Sequence, residues 1–339
     1  MAVHLNFGII GAGLMGTRRA ASIATMVDTT ILSVMDLTLE RASALANKYG
    51  ATATTDIDEL LTDKRIDCVV VTTTTPYLAR YTIAALEAGK HVLVEKPLAM
   101  SMTDTRAVVE ATRRCGMVVK VGFNHRYLPT VLKAREVVAS GAIGKIMFLK
   151  ATYGQKGRIG FENEWRARKA MGGGELLDQG VHVIDLCRQF LGDFDKKSIK
   201  GEALRLFWQG DVDDNAFVVL RSVEGVPAFL HVSSSLWRNT FSFEIQGTLG
   251  RAEIHGIRGH YGAPRLTLLT RNEAKSAKIG VYQFDEQVFE FPDEDITWER
   301  EMQSFVASVR DGAPVDGTPE DAAKVLEVIF AVYEQGEDV

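Results

Sequence analysis

The chain has 339 residues, 46% hydrophobic and 24% charged, enough for two domains with sizeable cores, and its formal net charge is -5. That balance, with no dense Lys/Arg run, lacks the basic footprint of a nucleic-acid-binding protein. The opening MAVHLNFGII does not read as a secretory signal and no uninterrupted apolar run reaches the roughly 18 residues of a membrane span, so no membrane partner and a cytoplasmic location are expected. In chain order, short apolar runs from Leu5 to about Val121 alternate with helix-like stretches. They predict strands at Leu5–Ile10, Thr30–Asp36, Cys68–Thr72, His91–Val94 and Val118–Val121, and helices at Leu14–Met26, Leu39–Tyr49, Ile57–Leu61, Tyr77–Ala88 and Thr103–Cys115. Such alternation is the pattern of a parallel sheet covered on both faces. Gly50, Gly89 and Gly116 each follow a helix, where glycine makes a left-handed stop at least cost.

After about Phe123 a helix near Pro129–Ser140 and a strand near Ile146–Tyr153 lead into a Gly/Arg-rich loop and the stretch GGGELLDQGVHVID, a buried helix with Asp178, His182 and Asp185 on it. Between Ser198 and about Phe291, segments such as AFVVLRS, PAFLHVSSSL and TFSFEIQG read as one antiparallel sheet. Helices near Trp298–Arg310 and Pro319–Tyr333 follow, the second with Thr318 as N-cap. Cys68, Cys115 and Cys187 are far apart with no C-x-x-C pair, and read as small hydrophobes.

FGIIGAGLMG places G-x-G-x-x-G, at Gly11, Gly13 and Gly16, between a strand and a helix. The first glycine suits a tight turn, the second the approach of a pyrophosphate to the backbone, and the third close helix packing. Asp36, about 20 residues on at the end of the second strand, suits the ribose hydroxyls of NAD. A carboxylate there repels the extra phosphate of NADP, and Leu37 and Thr38 supply no cation to offset it, so NAD is favoured. Arg41, one turn away, is the residue that could reach that phosphate.

AGKHVLVEKPLAM ends a strand on Glu95, Lys96 and Pro97, at the carboxyl edge where open α/β sheets bind ligands. Taken together, GAGLMG, Asp36, the EKP of 95–97, NHRY at 124–127, GGGELLDQGVHVIDL and DGAPVDGTPEDA make a chain that resembles, over nearly its whole length, the Gfo/Idh/MocA oxidoreductases. The resemblance implies an α/β fold, with an NAD-binding Rossmann domain at 1–124 and an α+β substrate-binding domain at 125–339. The second domain would have a large, mostly antiparallel open sheet that pairs subunits into a homodimer or homotetramer. It also implies catalysis by Lys96, Asp178 and His182, and a cis Lys96–Pro97 bond. The cofactor contacts it suggests are Gly11, Gly13, Leu14, Met15, Gly16, Asp36, Thr73, Thr74, Glu95, Lys96, Asn124, Trp165 and Arg166. TTTTPYLAR departs from the family: Thr74, Thr75 and Leu78 stand where many members have a Thr-Pro-Asn turn and a histidine, which bears on the local cofactor contacts of that loop and not on the chemistry.

Oxidation of a secondary alcohol sends a hydride to the nicotinamide and the hydroxyl proton to a base. A histidine suits this role, contributing typically about 100- to 10,000-fold. Asp178 and His182 are i, i+4 on the expected helix and share a face. The carboxylate can orient the ring, and Lys96 can stabilise the developing alkoxide. No metal is expected, since HExxH and Cys/His ligand sets are missing from the sequence. Asp185 reads as a structural acceptor, and His91, His125 and His231 as structural histidines. Trp165 and Arg166 either cover the nicotinamide or substrate or simply pack. Arg158, Glu162 and Glu164 are candidates for shaping the pocket, and the three glycines at 172–174 for giving substrate and cofactor room.

The implied substrate is a sugar, nucleotide sugar, aminoglycoside-type pseudosaccharide or cyclitol, and the run from Gly154 to Leu191 resembles the branch that tailors sugars in polysaccharide and antibiotic biosynthesis. Glu162 and Glu164 would suit a cationic aminosugar, and Arg158, Arg166 and Arg168 a nucleotide diphosphate. The alternatives are an NAD-dependent glycosidase using transient oxidation and a non-catalytic NAD(P)-sensing protein.

Overall fold

The computed structural model describes residues 3–157, 159–279 and 281–336. The chain forms two compact units, Met1–Asn124 with Ile296–Leu326, and His125–Asp295 with Glu327–Val339. The segment 296–326, read from sequence as part of the second domain, thus belongs to the first unit.

The first unit begins with β1 (Leu5–Ile10), α1 (Leu14–Ala24), β2 (Thr29–Met35), α2 (Leu39–Ala46), β3 (Thr52–Thr54), α3 (Ile57–Leu61), β4 (Cys68–Val71), α4 (Thr75–Glu87), β5 (His91–Glu95), α5 (Met102–Cys115) and β6 (Val119–Gly122). Its sheet runs β3-β2-β1-β4-β5-β6 with every pair parallel. The order reverses between β1 and β4, which opens a crevice at their carboxyl ends. β4 is buried throughout, as a central parallel strand requires. Strand β3, too short and polar to stand out in the sequence, extends the sheet beside β2. The left-handed stops expected at Gly50, Gly89 and Gly116 are present, with φ of 66°, 75° and 68°.

The second unit contains α6 (Pro129–Ala139), β7 (Ile146–Lys156), α7 (Val181–Leu191), β8 (Lys200–Leu204), β9 (Asn215–Arg221), β10 (Pro227–Leu236), β11 (Thr240–Gly247), β12 (Gly250–His255), β13 (Arg265–Asn272), α8 (Glu273–Ile279) and β14 (Gln283–Glu290). The eight strands run β14-β13-β12-β11-β7-β10-β9-β8. All neighbours are antiparallel except β7 and β10, which are parallel. The sheet is therefore mostly antiparallel, and α8, which the sequence reading did not anticipate, lies between β13 and β14. Along β9, Ala216, Val218 and Leu220 point into the core while Phe217 and Val219 point out.

The last helices are α9 (Thr297–Asp311) and α10 (Pro319–Gln335). Met302, Phe305 and Val306 of α9 enter the core formed by Phe7, Ile9, Val34, Val70 and Leu93, with Phe305 edge-on to Phe7 at 6.4 Å. Thr318 caps α10 reciprocally: its Oγ1 accepts from the Asp321 amide at 3.1 Å, and Asp321 Oδ2 accepts from the Thr318 amide at 3.2 Å. Among the described residues, no helix is long and apolar enough to cross a membrane.

Candidate active site

Two of the three fingerprint glycines have a steric reason visible in the structure. Gly11 has φ +104°, and a Cβ on it would stand 2.8 Å from the Thr72 carbonyl. A Cβ on Gly16 would stand 2.0 Å from Gly11 O, so α1 can close on the loop only without one. At Gly13 a Cβ would meet nothing within 4 Å: its open face is where a phosphate can approach the start of α1. Asp36 accepts from the Ala12 amide at 2.8 Å and the Thr38 amide at 3.0 Å, which ties its carboxylate to the glycine loop.

Gly11, Gly13, Asp36, Thr73 and Thr74 line one cleft of about 250 Å³ with Leu37, Thr38, Arg41, Thr72, Tyr77 and Tyr81. Leu14 and Met15 open α1 beside it, Leu14 being 67% exposed. Sequence reasoning missed four of the lining residues, Met35, Thr72, Tyr77 and Tyr81. Thr72 Oγ1 donates to Gly11 O at 2.7 Å and so stitches the loop to β4. Tyr77 and Tyr81 stack at 6.1 Å, and their i, i+4 spacing after TTTTP was the available signal. The cleft, the open face of Gly13 and the tethered acid fit a dinucleotide.

At the end of β5 the Lys96–Pro97 bond is cis. Lys96 is half-buried. Glu95 turns its carboxylate into the domain, onto Arg19 at 2.6 Å, so as a side chain it is not a lining residue of the glycine cleft. Asn124 is buried, and its Nδ2 donates to Thr297 Oγ1 at 3.1 Å.

In the second unit, the stretch read as one α-helix begins with a π-helical turn, Leu176–Gly180, and becomes α-helical only at Val181. Such turns insert a residue into a helix and recur at functional sites. The Leu176 amide is held by Asp213 Oδ2 at 2.8 Å, and Gly180 leaves room for the Leu176 side chain, which a Cβ would approach to 2.8 Å. Two of the preceding glycines are required by the backbone itself: a Cβ on Gly173 would stand 2.2 Å from Arg166 O, and one on Gly174 2.4 Å from Asp213 Oδ1.

Asp178 and His182 are both buried. Asp178 Oδ2 accepts from Arg166 Nε at 2.9 Å; Arg166 also approaches Glu164 at 3.8 Å and lies 4.4 Å from the Trp165 ring centroid. The His182 ring packs against His125, centroids 3.9 Å apart, and His125 in turn packs on Tyr153 at 5.5 Å. Phe241 and Tyr261 meet Tyr153 edge-on at 5.3 and 5.4 Å. Burial, then the neighbouring Tyr261, Glu175 and Asp178, pushes the Tyr153 phenol well above its usual range. His125, read from sequence as purely structural, is therefore a neighbour of His182, which only the sheet-to-helix packing reveals.

Asp185 accepts from Arg126 in a buried fork, at 2.7 and 2.5 Å. His91 Nδ1 accepts from the Val118 amide at 3.0 Å, and His231 stacks on Phe217 at 4.4 Å. Glu162 and Arg168 are exposed, and Arg158 lies outside the described residues.

Residues 5–123 match the oxidoreductase family with an NAD-binding Rossmann fold, and residues 131–253 match the Gfo/Idh/MocA C-terminal domain. The chain is 26% identical to myo-inositol 2-dehydrogenase of Thermotoga maritima, across 98% of this chain and 97% of the relative. It is 30% identical to levoglucosan dehydrogenase of Pseudarthrobacter phenanthrenivorans, across 73% and 72%. The crystal structure of GenD2 from gentamicin A biosynthesis in complex with NAD superposes with a TM-score of 0.82 at 27% identity, over 100% of this chain and 95% of that one. The chain belongs to the Gfo/Idh/MocA oxidoreductase family. It is an NAD(P)-dependent oxidoreductase, with NAD as the cofactor its fold is built to take.

Proposed function

We propose that this protein catalyses the reversible NAD-dependent oxidation of a secondary hydroxyl on a sugar or cyclitol ring to a ketone, with Lys96, Asp178 and His182 as the catalytic group. The supporting observation is the buried Asp178–His182 pair on one continuous turn and helix, the carboxylate engaged by Arg166 and the imidazole fixed by His125. Bound NAD supplies the nicotinamide that accepts hydride. His182 takes the hydroxyl proton as a general base. Asp178, held against the Arg166 cation, favours the protonated imidazole that forms and so assists that transfer. Lys96 lowers the energy of the developing alkoxide as a fixed cation. Trp165 and Arg166 complete the cofactor and substrate surroundings in this reading, together with the backbone at Glu95 and with Asn124, Thr73 and Thr74.

The relatives act on inositol and levoglucosan by name, and GenD2 belongs to gentamicin A biosynthesis, which supports a ring polyol, including an aminoglycoside-type pseudosaccharide. Arg166 is already engaged by two carboxylates, which favours a neutral or cationic sugar over a nucleotide diphosphate. We place the protein in the cytoplasm as a homodimer or homotetramer, paired through the outward face of its sheet, where Phe148, Phe217, Val219 and Phe229 are exposed.

The test is a panel of cyclitols, anhydrosugars, glycosides, aminoglycosides and nucleotide sugars with NAD and NADP, read as reduced-cofactor absorbance. Lys96→Ala and His182→Ala are expected to lose at least about 100-fold in turnover while still binding NAD. Near-parent rates in either variant would reject this catalytic group, and sugar release without net NADH would favour transient-oxidation glycosidase chemistry.

A further inference from the structure

Arg19, on α1, is fully buried, as is Glu301, on α9, while Glu95 at the end of β5 is nearly so. Arg19 Nε donates to Glu95 Oε1 at 2.7 Å, and Nη1 donates to Glu301 Oε2 at 2.6 Å. Trp298 covers the guanidinium, 4.5 Å from its ring centroid. Gly122, the β6 partner of Glu95, makes the space: a Cβ there would stand 2.6 Å from Arg19 Nη2 and 3.2 Å from Glu95 Oε2.

An ion cluster this dry is a poor way to gain stability, because well-packed apolar side chains in its place are often neutral or better. Its location suggests another purpose. The residue after Glu95 is Lys96, and the turn continues into Leu98, which is fully buried at φ +87°. A bulky residue in the left-handed region is strained, and it persists only where its surroundings over-determine it. The cluster grips the strand immediately before this turn from two helices far apart in sequence, one of them the helix opened by the glycine fingerprint.

We infer that Arg19 and Glu301 are positioning residues that clamp Glu95 and thereby hold the strained Lys96–Leu98 turn in the arrangement that presents the Lys96 ammonium for reaction. This rests on the role proposed above for Lys96. The clamp has a second effect: Arg19 occupies the Glu95 carboxylate, which would otherwise compete for the lysine beside it in the chain. Lysine cannot replace Arg19 without loss, because one ammonium does not offer the fork that bridges two carboxylates.

The experiment compares the parent, Lys96→Ala, Arg19→Lys and the doubly apolar Arg19→Met/Glu301→Leu protein, using the fastest substrate of the panel and hydrogen exchange of the segment 95–100. In the folded variants, kcat is expected to fall about tenfold or more in the double variant and several-fold in Arg19→Lys, with KM and NAD affinity within about twofold. Exchange should quicken in that segment while the remainder of the first unit stays protected. If the double variant fails to fold, Arg19→Lys carries the decision. Parent-like exchange of the segment 95–100 in a folded variant would overturn the clamp, as would parent-like kcat or a loss of NAD binding large enough to explain the fall in kcat. Parent-like turnover in Lys96→Ala would instead overturn the catalytic reading, which separates the two failures; the exchange measurement decides the clamp independently of any substrate.

Discussion

Asp36 ties the end of β2 to the glycine loop through one side chain. Its two oxygens accept from the amides of Ala12 and Thr38, so the carboxylate is already oriented toward the glycine loop. The same cleft contains Arg41, which is exposed and available to an added phosphate once the acid is gone. Asp36→Ser is therefore expected to weaken NAD binding about tenfold, or about 1.4 kcal/mol, and to strengthen NADP binding. Cofactor titration by protein fluorescence checks this, and an unchanged NAD-to-NADP ratio would refute it. The roles of Gly11 and Gly16 were legible in the sequence because a turn and a close packing each demand glycine. The neighbourhood of His125 was not, because a stacking partner 57 positions away leaves no local signature.

At the scale of elements, the turn that carries Asp178 depends on Asp213. Burial raises the Asp213 carboxyl to about 6, against the opposing hydrogen bonds from the Leu176 amide and the Tyr333 hydroxyl. The folded value lies above the unfolded one, so the group contributes fully to stability below pH 3.8 and that contribution is lost as pH rises through about 6. Across this window the stability of the parent relative to Asp213→Asn should fall by about 3 kcal/mol, as urea unfolding at several pH values will measure. A pH-independent difference between the two proteins would refute the assignment. The start of α7 also shows where periodicity stops informing. Leucines and valines at helical spacing predict a helix, but whether its first turn is π or α is decided by the hold of Asp213 on Leu176 and the room left by Gly180.

At the scale of the whole molecule, the outward face of the sheet exposes apolar side chains. Phe148, Phe217, Val219 and Phe229 are 37–45% exposed, and stable association needs about 800 Å² per partner, which a face of this kind can provide. The protein is expected to sediment as a dimer or tetramer, and Phe229→Glu, a charge in the middle of that face, to shift it toward monomer. A monomeric parent would refute this use of the sheet.

The α/β class, the parallel pairing of the first sheet and the glycine loop were determined by the sequence alone, because periodicity, turn chemistry and residue type act locally. Tertiary structure alone decided the rest: that α9 returns to the first core, that β7 and β10 run parallel, that Glu95 faces Arg19 and Glu301, and that Gly173 and Gly174 serve backbone packing. Each of these depends on which distant surfaces bury one another, and burial is a property of the fold and not of any window of the chain.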